Sequence, residues 1–386
     1  MKRLLTFFLI CFSFVEYTQA EDIIDYKYWD EGKLTWDDFQ DTLSLKGVPS
    51  AFNAFLRIEK TEKRDGNTRT IRPEAQACFD KRHSFADRQI QNENLLRLFQ
   101  LKYDLLEMYR RRLQTELNLG VVGIAADNRT RQYMDLYTEQ SKKAEQETEN
   151  GQNEIKLQEW EFYVTKELIE NPAPSIPRIS PRRFGYGFYL GTGASFPVGS
   201  IADYWDPAWQ INVGFDLAYA NTHLLCDFSA GTARTRQEIT VSNGQITDTW
   251  LRNGHNTYTS ISLGIGQQLI STKYFALMPY VGCIWSGYSD QAKIQEGRNE
   301  RTTLSYTNFN WTAGICFDYR FSTTISLVPS FWRGHREIFT ASIRTKLFIN
   351  REQYKNFNAI EGNMIRGCKL GFSVACLGFS RLLQIK

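Results

Sequence analysis

Imidazole is scarce in this chain: four histidines, His83, His223, His255 and His335, serve 386 residues, and three of them fall in the second half. No two stand four residues apart, the spacing that sets a pair on one helix face around a single Zn²⁺. His223 and His335 fall near expected strand ends. A lipid-modifying barrel enzyme would need its base there, yet neither has a legible nucleophile or acid partner. Six cysteines lie beyond the N-terminal segment: Cys78, Cys226, Cys283, Cys316, Cys368 and Cys376. Their spacings form no disulfide or metal framework. Cys368 and Cys376 are near enough in sequence to pair, and equally readable as two buried thiols. No cofactor or metal is implied, and the inventory points to binding or anchoring.

The elements that position these groups start with an export signal over residues 1–20. Lys2 and Arg3 precede an apolar run from Leu4 to Val15, and Thr18-Gln19-Ala20 supplies small residues for cleavage. Cys11 is followed by Phe12, where a lipoprotein signal wants a small residue. No later stretch approaches the roughly 18 apolar residues of a membrane-spanning helix. A formal net charge of +3, scattered along the chain, gives no argument for a nucleic-acid partner. Between Asn171 and Pro181 four prolines mark a linker. The expected organisation is a folded domain over residues 21–170, a linker over 171–182, a barrel over 183–350, and a tail or additional strand over 351–386.

Past the linker the hydrophobic period becomes two. Phe184, Tyr186, Phe188, Leu190 and Phe196 alternate with glycines and Ser195. Trp209, Ile211, Val213, Phe215, Leu217 and Tyr219 alternate with Gln210, Asn212, Gly214 and Asp216. Further strands are expected over Thr222–Thr232, Thr257–Ile270, Phe275–Tyr288, Thr307–Arg320, Thr324–Trp332 and Ile338–Phe348, and Lys369–Phe379 is apolar enough for another. Tight turns are expected at Asn221-Thr222, Ser271-Thr272-Lys273 and Ser322-Thr323, with long loops over Thr235–Asn256 and Asp290–Ser305. Tyr204, Trp205, Trp209, Tyr219, Trp285, Tyr288, Tyr319 and Trp332 cluster near strand ends as an interfacial girdle would. An antiparallel transmembrane β-barrel of about eight strands follows, too narrow for a conducting pore by default.

The preceding domain reads as α+β, with strands near Ala51–Glu59 and Thr68–Phe79 and helices over about Asn92–Asn118, Asp127–Glu147 and Asn153–Glu170. Leu95, Leu98, Leu101, Leu105, Met108, Leu113 and Leu117 give the first helix its 3.6-residue period, and Gly120 stands where a C-terminal cap belongs. Trp29 with Leu34-Thr-Trp-Asp-Asp-Phe39, the run Leu96 to Glu107 with Arg110, the segment Glu147 to Gln152, and Gln158 with Trp160 stand together in order. They resemble a family of secreted, predicted zinc-dependent proteases otherwise labelled a domain of unknown function. That family's helix carries Leu-x-His-Glu-Gln-x-His-Phe-Asp-Ile-x-Glu-x-x-x-Arg, and a Thr-x-His-Gly segment follows later.

The resemblance covers about residues 24–170, and it implies that the metal chemistry is lost. Leu98 and Lys102 occupy the two helical histidine positions, Phe99 the glutamate position, and Asn150 the later histidine position. None of Leu, Phe or Lys⁺ offers a lone pair to zinc. Asp104 and Glu107 survive but are expected to be solvated, as is the run Arg110, Arg111 and Arg112. Trp36, Phe39 and Trp160 are expected to anchor a core. The expectation is a non-enzymatic outer-membrane protein, in contact with membrane lipid, with a periplasmic pseudo-protease module for a protein or peptide partner. A narrow channel or ligand carrier is the alternative.

Overall fold

A computed structural model describes residues 25–41, 49–242, 247–290, 305–328, 336–354 and 365–385. The expected signal segment, the Asp290–Ser305 loop between its two ends, Trp332 and His335 lie outside the described residues. The chain divides into two units, the first holding residues 1–59 and 74–175, the second residues 60–73 and 176–386.

Strand β1 (Tyr26–Tyr28) pairs antiparallel with β3 (Thr68–Asp80), which also pairs with β2 (Ala54–Asp65); residues 60–73 of these strands and their turn belong to the second unit, the rest to the first. Helices α1 (Glu93–Leu119), α2 (Ile124–Glu147) and α3 (Glu154–Glu170) follow. Asn92 caps α1 by accepting from Leu95 N–H at 2.9 Å, which satisfies one of the orphan donors of the first turn. The helix stops where Gly120 takes φ +123°, a conformation that costs glycine little. Its leucine stripe is buried as its period requires: Leu98, Leu101, Leu105, Leu113 and Leu117 share one core with Phe79, Leu157 and Val164.

The second unit is a closed ring. Its strands are β4 (Ile179–Gly199), β5 (Ala208–Tyr219), β6 (Thr222–Arg234), β7 (His255–Gln267), β8 (Phe275–Asp290), β9 (Ser305–Ser326), β10 (Glu337–Tyr354) and β11 (Ile365–Ile385). Each pairs antiparallel with the next, and β11 returns to β4 from Gly367↔Gly199 to Ile385↔Ile179. Closure leaves no free edge within the ring. Beyond it, Thr68–Ile71 of the same unit runs parallel to Thr323–Ser326 of β9.

The ring has eight strands, but not the eight expected from the sequence. Ser322-Thr323 does not turn; β9 runs straight through it, with a register shift between Arg320 and Ser322. The expected seventh strand, Thr324–Trp332, is therefore in part the end of β9. Ser and Thr are as much at home in a pleated strand as in a turn, and the bulge disturbs the two-residue rhythm just there. The eighth place is taken by Ile365–Ile385. At the other boundary, β4 begins at Ile179, so residues 179–182 are strand, not linker. Cys368 and Cys376 are free thiols on one strand, eight residues and so about 26 Å apart, beyond any disulfide.

The ring's two ends differ. At one lie the short links Ala220–Asn221 and residues 268–274, together with Ile179 and Ile385. At the other lie residues 200–207 and the Thr235–Gly254 segment, which carries its own hairpin, Ile239–Ser242 against Thr247–Trp250.

Candidate functional site

The positions carried over from the protease-like frame sit in the first unit as structural side chains. Leu98 and Phe99 are buried, and the Phe99 ring contacts Trp36, Phe39 and Phe52 at centroid distances of 5.2–6.3 Å. Lys102 ends on Glu145 Oε1 at 2.5 Å, with its ammonium 4.7 Å from the Phe52 ring. Asn150 holds φ +56° in the turn between α2 and α3. Among the described residues, no three His, Cys, Asp or Glu side chains group as a metal would require.

The expected solvation of the α1 charges is overturned for most of them. Glu107 is 1 % exposed. It accepts from Arg110 Nε at 2.5 Å and Arg111 Nε at 2.8 Å, an i,i+3/i,i+4 fork that a buried carboxylate needs. Arg112 alone stays half exposed, 3.2 Å from Glu167. Asp104 accepts from Trp29 Nε1 at 2.8 Å and Gln100 Nε2 at 2.7 Å. Burial nevertheless lifts its carboxyl above the ordinary value. Burial also pushes the Cys78 thiol up to about 12, which keeps it protonated and inert. Trp36, Phe39 and Trp160 pack against the core.

Chemistry that can act on a ligand gathers instead inside the ring. Alternation along β5 sends Trp209, Ile211, Phe215, Leu217 and Tyr219 outward and buries Gln210, Asn212 and Asp216, and the other strands follow the same rule. The lumen is crossed by three tiers of charge. Near the short-link end, Arg344 donates to both oxygens of Asp318, at 2.7 and 2.9 Å, and to Asp216 Oδ2 at 2.8 Å. At mid-height Lys346 Nζ meets Asp227 Oδ2 at 2.5 Å, while Tyr189 and Ser262 also donate to that carboxylate. Toward the long-loop end, Lys369 pairs with Glu352 at 2.9 Å, and its ammonium lies 3.7 Å from the Tyr258 ring centre. There the stacked pair Trp205 and Tyr288, centroids 4.4 Å apart, packs with Tyr354, Trp250 and Ile239.

Of the aromatics expected in a girdle, Trp209, Tyr219, Trp285 and Tyr319 are exposed on the outer surface. Trp205 and Tyr288 are buried in that inner cluster instead. Tyr288 is in step with the buried positions Ile284 and Ser286 of β8, so alternation already assigns it inward, whereas Trp205 lies outside the strands, in residues 200–207.

His223 has an acid partner after all. Its Nδ1 is 2.7 Å from Asp216 Oδ1, and since a carboxylate only accepts, that nitrogen carries the hydrogen. Its Nε2, buried, has no hydrogen-bond partner among the described residues, so two members of a triad stand together there without a nucleophile in contact. His255 is exposed, and His83 rests on Asp80 at 2.8 Å. His223 and Arg344 line a cavity of about 280 Å³ at the short-link mouth, along with Arg320, Arg381, Leu377 and Phe379. A second cavity, at mid-lumen with Asp227 and Lys346 in its wall, measures about 30 Å³, room for about one water.

Fold and lumen together define a closed, eight-stranded antiparallel barrel with a charged interior and an apolar exterior. No family profile matches the chain, and no curated protein matches its sequence. Among solved structures, Ail of Yersinia pestis is 10 % identical, with a TM-score of 0.27, over 51 % of this chain and 99 % of its own. Neisserial surface protein A is 7 % identical, with a TM-score of 0.30, over 52 % and 97 %. The outer membrane protease OmpT of Escherichia coli is 7 % identical, with a TM-score of 0.21, over 53 % and 98 %. At these scores the likenesses carry no functional weight, and the barrel stands on its own strand pairings.

Proposed function

We propose that this chain is a non-enzymatic outer-membrane protein, anchored by a barrel closed to ions, with the first unit as a periplasmic pseudo-protease module for a protein or peptide partner. The observation that carries the reading is the inversion of polarity. Lysine, arginine and carboxylates fill the inside, while Phe188, Ile211, Phe215, Val281, Ile315 and Leu347 face out, each more than 45 % exposed. Full burial of such a side chain contributes about 1.5–3 kcal/mol, so one left half exposed in water forgoes about 1 kcal/mol. Roughly a dozen forgo about 10 kcal/mol, as much as the ~5–15 kcal/mol of a domain's whole stability. A hydrocarbon surround removes the conflict.

The dimensions agree. Trp209 and Tyr219, both exposed, are ten residues apart on β5. That is about 33 Å along the strand, or about 25 Å of height at a tilt of ~40°, the apolar band of such barrels. In such barrels the short links face the periplasm, so the chain would enter the barrel at Ile179 from that side.

Membrane fractionation with gels run before and after boiling tests the anchor. The full chain is expected in the outer-membrane fraction, with a mobility that changes on boiling; recovery in the soluble fraction overturns the reading. Zinc-dependent, chelator-sensitive peptide hydrolysis by the purified chain would overturn its non-enzymatic part.

A further inference from the structure

Among the described residues, the cations at mid-lumen and toward the long-loop end are matched to anions. Lys346 has Asp227, Lys369 has Glu352, and Arg344 is shared by Asp216 and Asp318. At the short-link mouth, Arg320 and Arg381 make no ion pair with any described residue. Arg320 donates to Thr272 O at 2.7 Å, and Arg381 to Ala220 O at 2.5 Å and Arg183 O at 3.3 Å. Behind them Arg344 keeps its Nη1, and His223 its Nε2, without a hydrogen-bond partner among the described residues, although both side chains are more than nine-tenths buried. A buried guanidinium nitrogen without an acceptor is costly. All four residues line the 280 Å³ cavity.

The rest of the wall is mixed: Leu377, Phe379, Ile338 and Pro181 are apolar, while Asn221, Gln268, Ser271, Thr340, Ser342 and the carboxylate of Asp318 are polar. The apolar four offer an organic anion a contact that an inorganic anion cannot use. A cavity of about 150 Å³ takes benzene, so this one has room for a ring or short chain and its acid group together.

We propose that the mouth is a binding site for a small amphiphilic carboxylate. Its carboxylate is held by the guanidiniums of Arg320, Arg381 and Arg344, and its carbon body lies against Phe379 and Leu377. Asp318 lines the cavity itself, but it is engaged by Arg344, and Asp216 is engaged by His223 and Arg344, which limits their repulsion of the ligand. The site needs only a folded barrel, so it goes beyond the membrane reading and does not depend on it.

The test is a ¹⁹F NMR titration of the full chain, reconstituted in lipid nanodiscs, with 4-fluorobenzoate. Saturable binding is expected, weakened by salt because the contact is ionic. It should be absent for the uncharged 4-fluorobenzamide, and inorganic phosphate should compete poorly. Arg320→Gln with Arg381→Gln should weaken binding at least about tenfold, the scale of a lost charge-assisted hydrogen bond. Because these arginines also hold backbone carbonyls, Arg320→Lys with Arg381→Lys is the second variant, and it should keep most of the affinity. No saturable binding, equal binding of the amide, displacement by phosphate as effective as by benzoate, or affinity unchanged in the glutamine variant would each overturn the proposal. Should the chain prove absent from the outer membrane while the titration still saturates, the anchor reading fails and this one stands.

Discussion

Lys346 on β10 reaches Asp227 on β6 at 2.5 Å, across a ring in which those two strands are as far apart as eight members allow. The pair spans the lumen, with Tyr189 and Ser262 completing the carboxylate's acceptor sites. In a ring of only eight strands, side chains braced this way are expected to fill the lumen. Planar-bilayer recordings of the purified chain should therefore show no unit conductance steps, and regular steps would refute a barrel closed to ions.

Removing one half of that pair should cost far more than replacing both. Lys346→Met leaves Asp227 buried without its cation, a loss of about 3–5 kcal/mol on general grounds. Lys346→Met with Asp227→Leu removes both charges and should recover most of that loss. Urea unfolding in lipid vesicles, arranged as a double-mutant cycle, measures the difference. Equal losses in the single and double variants would mean that the pair does not act as a unit.

The barrel is legible because alternation is a local property, written residue by residue in β5 and in the first part of β9. Alternation alone assigns Asp216 and Asp318 to the inner face. Their partners are not legible, since Arg344 and Asp216 are 128 residues apart in sequence and meet only when the ring closes. A signal does exist: Arg344, Lys346, Asn350 and Glu352 fall on one face of β10, against Ile343 and Leu347 on the other. Charges on the even positions of an apolar strand are what a polar lumen writes. The same logic explains Glu107, whose helix face looks solvent-bound until Arg110 and Arg111 fold over it.

Cys226 and Cys376 give the membrane reading a chemical probe. Both are geometrically exposed on the outer wall, near its mid-height. In a bilayer they should resist a charged, water-soluble maleimide until the barrel is denatured, while a lipid-soluble maleimide labels them in place. Mass spectrometry of labelled peptides reads this out. Rapid labelling of both by the charged reagent in native membranes would mean that the outer wall faces water.

Asp104 should make the first unit sensitive to acid in an unusual direction. Burial raises its carboxyl, so the folded state holds the proton at pH values where the unfolded chain has released it. Stability from this residue is therefore lost as pH rises through that window, and the ionised form is a burden at neutral pH. In Asp104→Asn the new amide oxygen can still accept from Trp29 and Gln100. The substitution should raise the melting temperature of the helical circular-dichroism signal at pH 7, with the gain fading as pH falls toward 3.8, the ordinary aspartate value. A gain independent of pH would show that the carboxylate charge is not its cause.

Gly214 tests whether the lumen's tiers depend on packing as well as charge. On β5 it stands opposite Tyr189, and a Cβ placed there would fall 2.2 Å from the tyrosine Cζ. The ring of Tyr189 lies over the bare glycine backbone, which aims its hydroxyl at Asp227. Gly214→Ala must push that ring away, so Asp227 loses a donor while keeping Lys346. Overpacking costs about 1–3 kcal/mol, and loss of a hydrogen bond to a charged group adds about 1.5–3 kcal/mol. Tyr189→Phe removes only the hydroxyl and should show the second part alone. In the Tyr189→Phe background Gly214→Ala should then cost only the packing share. Equal costs of Gly214→Ala in both backgrounds would mean that the glycine serves the strand's closeness to its neighbours and not the tyrosine's aim.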